Sequence, residues 1–182
     1  MDPGNATLLS ALLMTGLLAV HDWRSGRIPN GWVLATGLLS AGVHVGGAAW
    51  LGSPTQAVAA AGSSALGVAA CAAVPWLLFR LDTLGGGDVK LLAALGASLG
   101  PIWGLEAEFY AFALALLFAG ARLAYEGRLI ATLLGSAAAL ASPSLRRAFR
   151  LRAPPAALSS LRFGPAIFLG SVLAAGLHWR LR

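Results

Sequence analysis

The chain has 182 residues, of which 58% are hydrophobic and 11% are charged, and its formal net charge is +6. Soluble globular domains carry about 25% charged residues, so this composition excludes an ordinary soluble domain and predicts extensive contact with lipid. The positive charge does not indicate nucleic-acid binding, because the arginines lie between apolar runs and no stripe of basic and aromatic residues stands out. The one cysteine, Cys71, excludes an intrachain disulfide and is expected in the core or against lipid.

The apolar runs predict an all-α fold, a polytopic membrane bundle of about six transmembrane helices, because a helix needs about 20 apolar residues to cross the hydrocarbon. The predicted spans cover residues 5–21, 31–51, 54–79, 88–103, 105–123 and 163–179. The fourth span is short, and Gly100, Pro101 and Gly104 leave its junction with the fifth open. The first run lacks a basic n-region and an A-x-A site, so we expect a retained span and no cleaved signal peptide.

The segment 126–162 differs from the rest, because arginines and prolines are concentrated in it. Its apolar part, 129–141, predicts an interfacial helix that a basic loop follows, with a seventh span or a re-entrant element as the alternative. We expect residues 1–182 to form a single membrane-embedded domain in which this basic segment is cytoplasmic. There it can contact anionic lipid headgroups.

The distribution of basic residues predicts the orientation. If the segment 21–30 is cytoplasmic, only Arg180 and Arg182 of the 13 basic residues lie outside, which leaves 11 inside. The positive-inside rule therefore predicts that both termini are outside. The cytoplasmic set comprises Arg24, Arg27, Arg80, Lys90, Arg122, Arg128, Arg146, Arg147, Arg150, Arg152 and Arg162.

Two short segments, 21–30 and 84–91, are polar where the surrounding chain is apolar. The first follows span one and the second opens span four, so Asp22 and Asp88 are predicted to lie at the same membrane depth. Carboxylates at a membrane boundary are costly and tend to be functional. Asp22 also lies at a helix end whose dipole disfavours negative charge, so an ion pair with Arg24 or Arg27 is the structural alternative.

Asp88 has its own structural alternative, because an aspartate after glycines is a good helix N-cap. The preceding Gly85, Gly86 and Gly87 permit positive φ and leave a bare backbone, against which an extended peptide can dock. Two neighbouring carboxyl groups cannot both ionise easily and share a proton, so Asp22 and Asp88 together suggest a water-activating pair.

Other polar residues are assigned to secondary roles. Asp82 is the rival carboxylate, expected in a loop, and Lys90 is expected to snorkel or to pair with an aspartate. Glu106 and Glu108 are expected on the outer side, in water. The three histidines, His21, His44 and His178, are too far apart in sequence to suggest a metal site, so we expect no metal and no cofactor.

The two polar segments resemble the motifs of the type IV prepilin peptidases. Asp22-x-Arg24-x-x-x-Ile28-Pro29-Asn30 is similar to the family's first-helix motif, and Gly85-x-Gly87-Asp88-x-Lys90-Leu91 to its GxGD motif. The late Phe163-Gly164-Pro165 resembles the segment entering the family's last helix. The resemblance implies that Asp22 and Asp88 are catalytic. The residues expected to bind substrate or to shape the site are Arg24, Ile28, Pro29, Asn30, Gly85, Gly86, Gly87 and Lys90. The resemblance also implies a multi-pass enzyme of the cytoplasmic (inner) membrane that cuts prepilin-like precursors after a glycine, at the cytoplasmic face.

The chain departs from the larger family members, which carry a cytoplasmic insert with cysteine pairs and also methylate the new N-terminus. No such insert separates spans one and two, and Cys71 stands alone. We therefore expect no N-methyltransferase activity and a similarity to the short, peptidase-only enzymes of tight-adherence (Flp) pili. The alternatives are an archaeal preflagellin-type peptidase, a presenilin-type GxGD protease, and a non-enzymatic pilus-assembly subunit. The sequence leaves the oligomeric state open.

Overall fold

The computed structural model describes residues 3–26, 29–81, 83–134 and 163–180. Its main helices are α1 (Pro3–Ser25), α2 (Asn30–Leu51), α3 (Pro54–Arg80), α4 (Gly86–Tyr125) and α5 (Gly164–Arg180). The regular structure in these ranges is helical, which confirms the predicted all-α membrane helix bundle. Helix α1 packs against α2 and α5, and α2 packs against α3.

Four of these helices contain apolar stretches long enough to cross a membrane, and α5 has a shorter one. Helix α1 shows how such a helix divides its surface: Leu9, Leu13, Leu17 and Val20, three or four residues apart, are all exposed. This spacing places them along one helix face. Apolar side chains that face outward in this regular way are suited to lipid, and the chain is a multi-pass membrane protein.

Helix α1 extends four residues beyond its predicted end, so the expected loop at 21–30 is largely helical. The helix ends at Ser25, and Gly26 follows with φ of 64°, a left-handed conformation that favours glycine. The Gly26 N–H donates to the Asp22 carbonyl at 2.8 Å. No glycine or proline interrupts residues 17–25, which explains why the helix carries Asp22 inside its last turns.

Helix α4 is a helical hairpin, and it contains both the fourth and the fifth predicted span. Its chain turns at Gly100, which has φ of 76°, and Pro101 follows. A Cβ placed on Gly104 would lie 3.0 Å from the Gly96 Cα atom, although eight residues of straight helix span about 12 Å. The two arms, 86–99 and 101–125, therefore run back along each other near the turn.

Glycines allow this hairpin to pack closely on α3. A Cβ on Gly67 of α3 or on Gly96 of the first arm would meet the carbonyl oxygen of the other glycine. A Cβ on Gly104 would also approach the Cys71 sulfur to 2.7 Å, and Cys71 is fully buried. Small residues thus bring three helical segments into backbone contact, as in many membrane bundles.

The chain forms two compact units. One contains the described residues up to Leu114 together with α5, and the other begins at Ala115. In the second unit Arg122 pairs with Glu126 at 3.0 Å, and residues 129–134 are helical, as expected for the start of the interfacial segment. The rest of the predicted basic segment, 135–162, lies outside the described residues, and the single domain stays a prediction.

Candidate active site

Asp22 lies on the buried face of α1. Ala11, Thr15 and Leu18 precede it at helical spacing and are all buried, and Asp22 itself is 6% exposed. The aspartate therefore continues the stripe by which α1 contacts the rest of the bundle. A charged side chain that faces a bundle interior needs a polar partner.

The partner of Asp22 is the start of α5. The backbone N–H of Gly164, the first residue of α5, donates to Asp22 Oδ2 at 3.2 Å. The positive end of the α5 dipole thus faces the Asp22 carboxylate, which the negative C-terminal end of α1 disfavours. The sequence predicted an ion pair between Asp22 and Arg24 or Arg27 instead. Arg24 is exposed, and no ion pair among the described residues joins it to Asp22. Arg27 lies outside the described residues.

Asp88 lies in the first turn of α4, two residues after the helix begins. It is not the N-cap itself, since Gly85 immediately precedes the helix, but its carboxylate accepts a hydrogen bond from the Gly85 backbone. This contact resembles the reciprocal part of a capping box. Below it, Leu91, Leu92 and Leu95 are fully buried, so Asp88 opens the core-facing side of the first arm.

The fold brings the two aspartates together. Asp22 interacts electrostatically with Asp88, although 66 residues separate them in the chain. Each carboxylate accepts a hydrogen bond from a backbone N–H at the start of a helix, α5 for Asp22 and α4 for Asp88. The arrangement is a pair of carboxyl groups of which one is buried and the other half-buried, and such a pair can share a proton.

The glycines before Asp88 provide space and do not adopt the left-handed conformation that they permit. Positive φ occurs at none of Gly85, Gly86 and Gly87. A Cβ on Gly85 would lie 3.0 Å from Asp88 Oδ2, and one on Gly86 would lie 3.3 Å from the Phe79 ring of α3. The bare backbone thus lets the carboxylate fold back over the helix start.

The remaining motif residues connect helix ends near the pair. Lys90 Nζ donates to Asn30 Oδ1 at 2.8 Å, which links the start of α4 to the start of α2. Lys90 was expected either to snorkel or to pair with an aspartate, but its partner is the side-chain amide of Asn30. Pro29 is the extended residue that precedes α2. Two predicted participants, Ile28 and the rival Asp82, lie outside the described residues.

Glu108 was expected in water and is instead 4% exposed. The turn at Gly100 returns the second arm into the bundle, where the Glu108 carboxyl hydrogen-bonds with the Cys71 thiol. The Oε2 atom of Glu108 has no hydrogen-bond partner in the described structure. Within the same described ranges, no group of three or more His, Cys, Asp and Glu side chains is arranged to hold a metal ion.

Fold and site together define a class of protein. It is a multi-pass helical membrane protein whose two paired carboxyl groups lie at the end of α1 and the start of α4, next to the start of α5. The profile of the type IV leader peptidase family matches residues 8–122, which include both aspartates. The chain belongs to this family, as its two motifs predicted. Comparison with curated proteins and with solved structures gave no significant match.

Proposed function

We propose that this protein is an aspartic endopeptidase that removes the leader of type IV or Flp prepilin-like precursors. One observation supports the proposal: Asp22 and Asp88, one from each motif segment, lie close enough for their charges to interact. Family membership supports a leader peptidase, and the aspartate pair supplies the chemistry for it. The proposed partners are the precursor and the lipid bilayer.

The proposed reaction uses the pair in its singly protonated state. One carboxylate takes a proton from water as the water oxygen attacks the scissile carbonyl carbon, and the other carboxyl gives its proton to the carbonyl oxygen. The tetrahedral intermediate collapses when the C–N bond breaks: the leaving amine takes up the proton that came from water, and one hydroxyl of the intermediate returns its proton to the other carboxylate, which restores the singly protonated pair. Every proton is accounted for by the two aspartates and the water, so these steps need no bound cofactor.

The proposal is tested by co-expressing the protein with a prepilin-like precursor and following the size of the precursor in membranes. We expect conversion to the mature size, and its loss when a bulky residue replaces the glycine before the cleavage site. A non-enzymatic assembly subunit would leave the precursor at full length in every case. Cleavage that tolerates the bulky residue would contradict the proposed specificity.

The proposed orientation puts the aspartate pair at the cytoplasmic face, as the distribution of basic residues favours. Ser25 is exposed at the end of α1 near the pair, whereas Thr55 is exposed at the start of α3, across the length of α2. We expect an impermeant maleimide to label Thr55→Cys in intact cells and Ser25→Cys only after lysis. The native Cys71 is fully buried and gives a low background. The reverse labelling pattern would contradict the orientation.

A further inference from the structure

Helix α5 starts without a capping side chain of its own. Ile167 N–H donates to the Phe163 carbonyl at 3.1 Å, which makes Phe163 the N-cap residue, and its phenyl ring cannot accept a hydrogen bond. Pro165 has no N–H. The first N–H of the helix, on Gly164, is instead satisfied by Asp22, a residue 142 positions earlier in the chain. Asp22 thus caps α5 from another helix.

The contact between Gly164 and Asp22 leaves no room for a side chain. A Cβ on Gly164 would lie 2.8 Å from Asp22 Oδ2, 3.0 Å from its Cβ and 3.2 Å from its Cγ. Real Cβ contacts are rarely closer than this, so even alanine at position 164 requires Asp22 or the start of α5 to move. Asp22 is almost fully buried and has little space in which to adjust.

The start of α5 is also fixed relative to the helix that carries Asp88. Phe163 is 9% exposed, and its ring lies 5.2 Å from that of Phe112 on the second arm of α4. Further along α5, a Cβ on Gly170 would come within 2.8 Å of the backbone of Ala107 and Ala111. The N–H that holds Asp22 is therefore anchored on α4, the same helix that presents Asp88.

We infer that Gly164 is a positioning residue for the reaction. Its N–H fixes the orientation of the Asp22 carboxylate, the N-terminus of α5 stabilises the negative charge on it, and the missing side chain permits the contact. Gly164 lies outside the residues that the family profile matches. The inference rests on the proposed function, because the orientation of Asp22 matters to the rate only if Asp22 activates water.

The test compares Gly164→Ala with wild type in the cleavage of a purified precursor. We expect kcat to fall roughly 10- to 100-fold, since a misplacement of about 1 Å in a catalytic group costs about that much. KM should stay within about threefold, because Gly164 acts on the transition state through Asp22 and not on substrate binding. An unchanged kcat, or a change confined to KM, would overturn the inference.

Two other glycines separate positioning from folding. Nothing lies within 4 Å of a Cβ on Gly176, so Gly176→Ala should match wild type. Gly67→Ala puts a Cβ against the Gly96 carbonyl oxygen, between α3 and the hairpin, so it should lower stability and yet keep kcat per folded molecule. If Gly67→Ala loses as much kcat per folded molecule as Gly164→Ala, general disruption of the bundle explains both, and the inference fails. If Asp22→Asn is inactive and Gly164→Ala is not, the inference fails while the proposed function stands.

Discussion

Asparagine at position 22 or 88 is expected to reduce cleavage of a prepilin-like precursor by roughly 1,000-fold or more, since each change removes a proton-transfer group from the pair. Asparagine keeps the size of the side chain, so the hydrogen bonds from the Gly164 and Gly85 backbone can largely be retained. Initial rates at equal enzyme abundance provide the measurement.

The double variant Asp22→Asn/Asp88→Asn should be about as inactive as either single variant, because the two carboxyl groups act as one unit. Asp82→Asn is the matched control, since it removes a carboxylate six residues before Asp88, and it should cleave at the wild-type rate. If Asp82→Asn were inactive while Asp88→Asn cut normally, the pair would have to be reassigned.

Gly96→Ala is expected to have the second-largest effect, a loss of about 3 kcal/mol in stability, at the upper end of the usual cost of overpacking. The new Cβ would meet the Gly67 carbonyl oxygen and lie 2.9 Å from the Cys71 Cβ atom. A backbone atom on α3 cannot turn aside as a flexible side chain can, so the hairpin must separate from α3. The midpoint of heat-induced loss of the monodisperse protein in detergent is the suitable measurement.

Gly62→Ala is the control for this prediction, because Gly62 lies on α3 with nothing within 4 Å of its Cβ position. Alanine restricts the unfolded chain more than glycine does, so this variant should be as stable as wild type or slightly more stable. Equal midpoints for Gly96→Ala and Gly62→Ala would show that α3 and the hairpin do not approach as described.

The fold class and the nearness of Asp22 to Asp88 could be predicted because their signals are local. Apolar runs of about 20 residues define spans without knowledge of neighbours. The polar segments around Asp22 and Asp88 contrast with the apolar chain on either side, so both could be recognised without a structure.

The errors concern contacts between distant segments. Either Gly100 or Gly104 could end the fourth span, and only the tertiary structure shows that the chain turns at Gly100. Glu108 was placed in water because it is charged and follows that junction, but the hairpin carries it back to Cys71. The hydropathy of a segment predicts whether that segment can lie in lipid, but it does not predict which helices pack against each other.

The role of Gly164 was missed for a related reason. The segment Phe163-Gly164-Pro165 resembles the one that enters the family's last helix, and Pro165 is typical of a first helical turn, but neither signal shows what the Gly164 N–H contacts. The acceptor for its N–H lies on α1, so the contact depends on how α1 and α5 pack. The partner of Asp22 was sought among nearby arginines, because a backbone N–H is present at every residue and leaves no signal in the sequence.

The most direct test of the central claim is cleavage by the purified protein in liposomes, with the products identified by mass spectrometry. We predict that the wild-type chain alone cuts a prepilin-like precursor once, after the glycine that precedes its hydrophobic helix, and that Asp88→Asn at the same protein amount leaves the precursor intact. Equal cleavage by Asp88→Asn, or no cleavage by correctly folded wild type, would contradict the account.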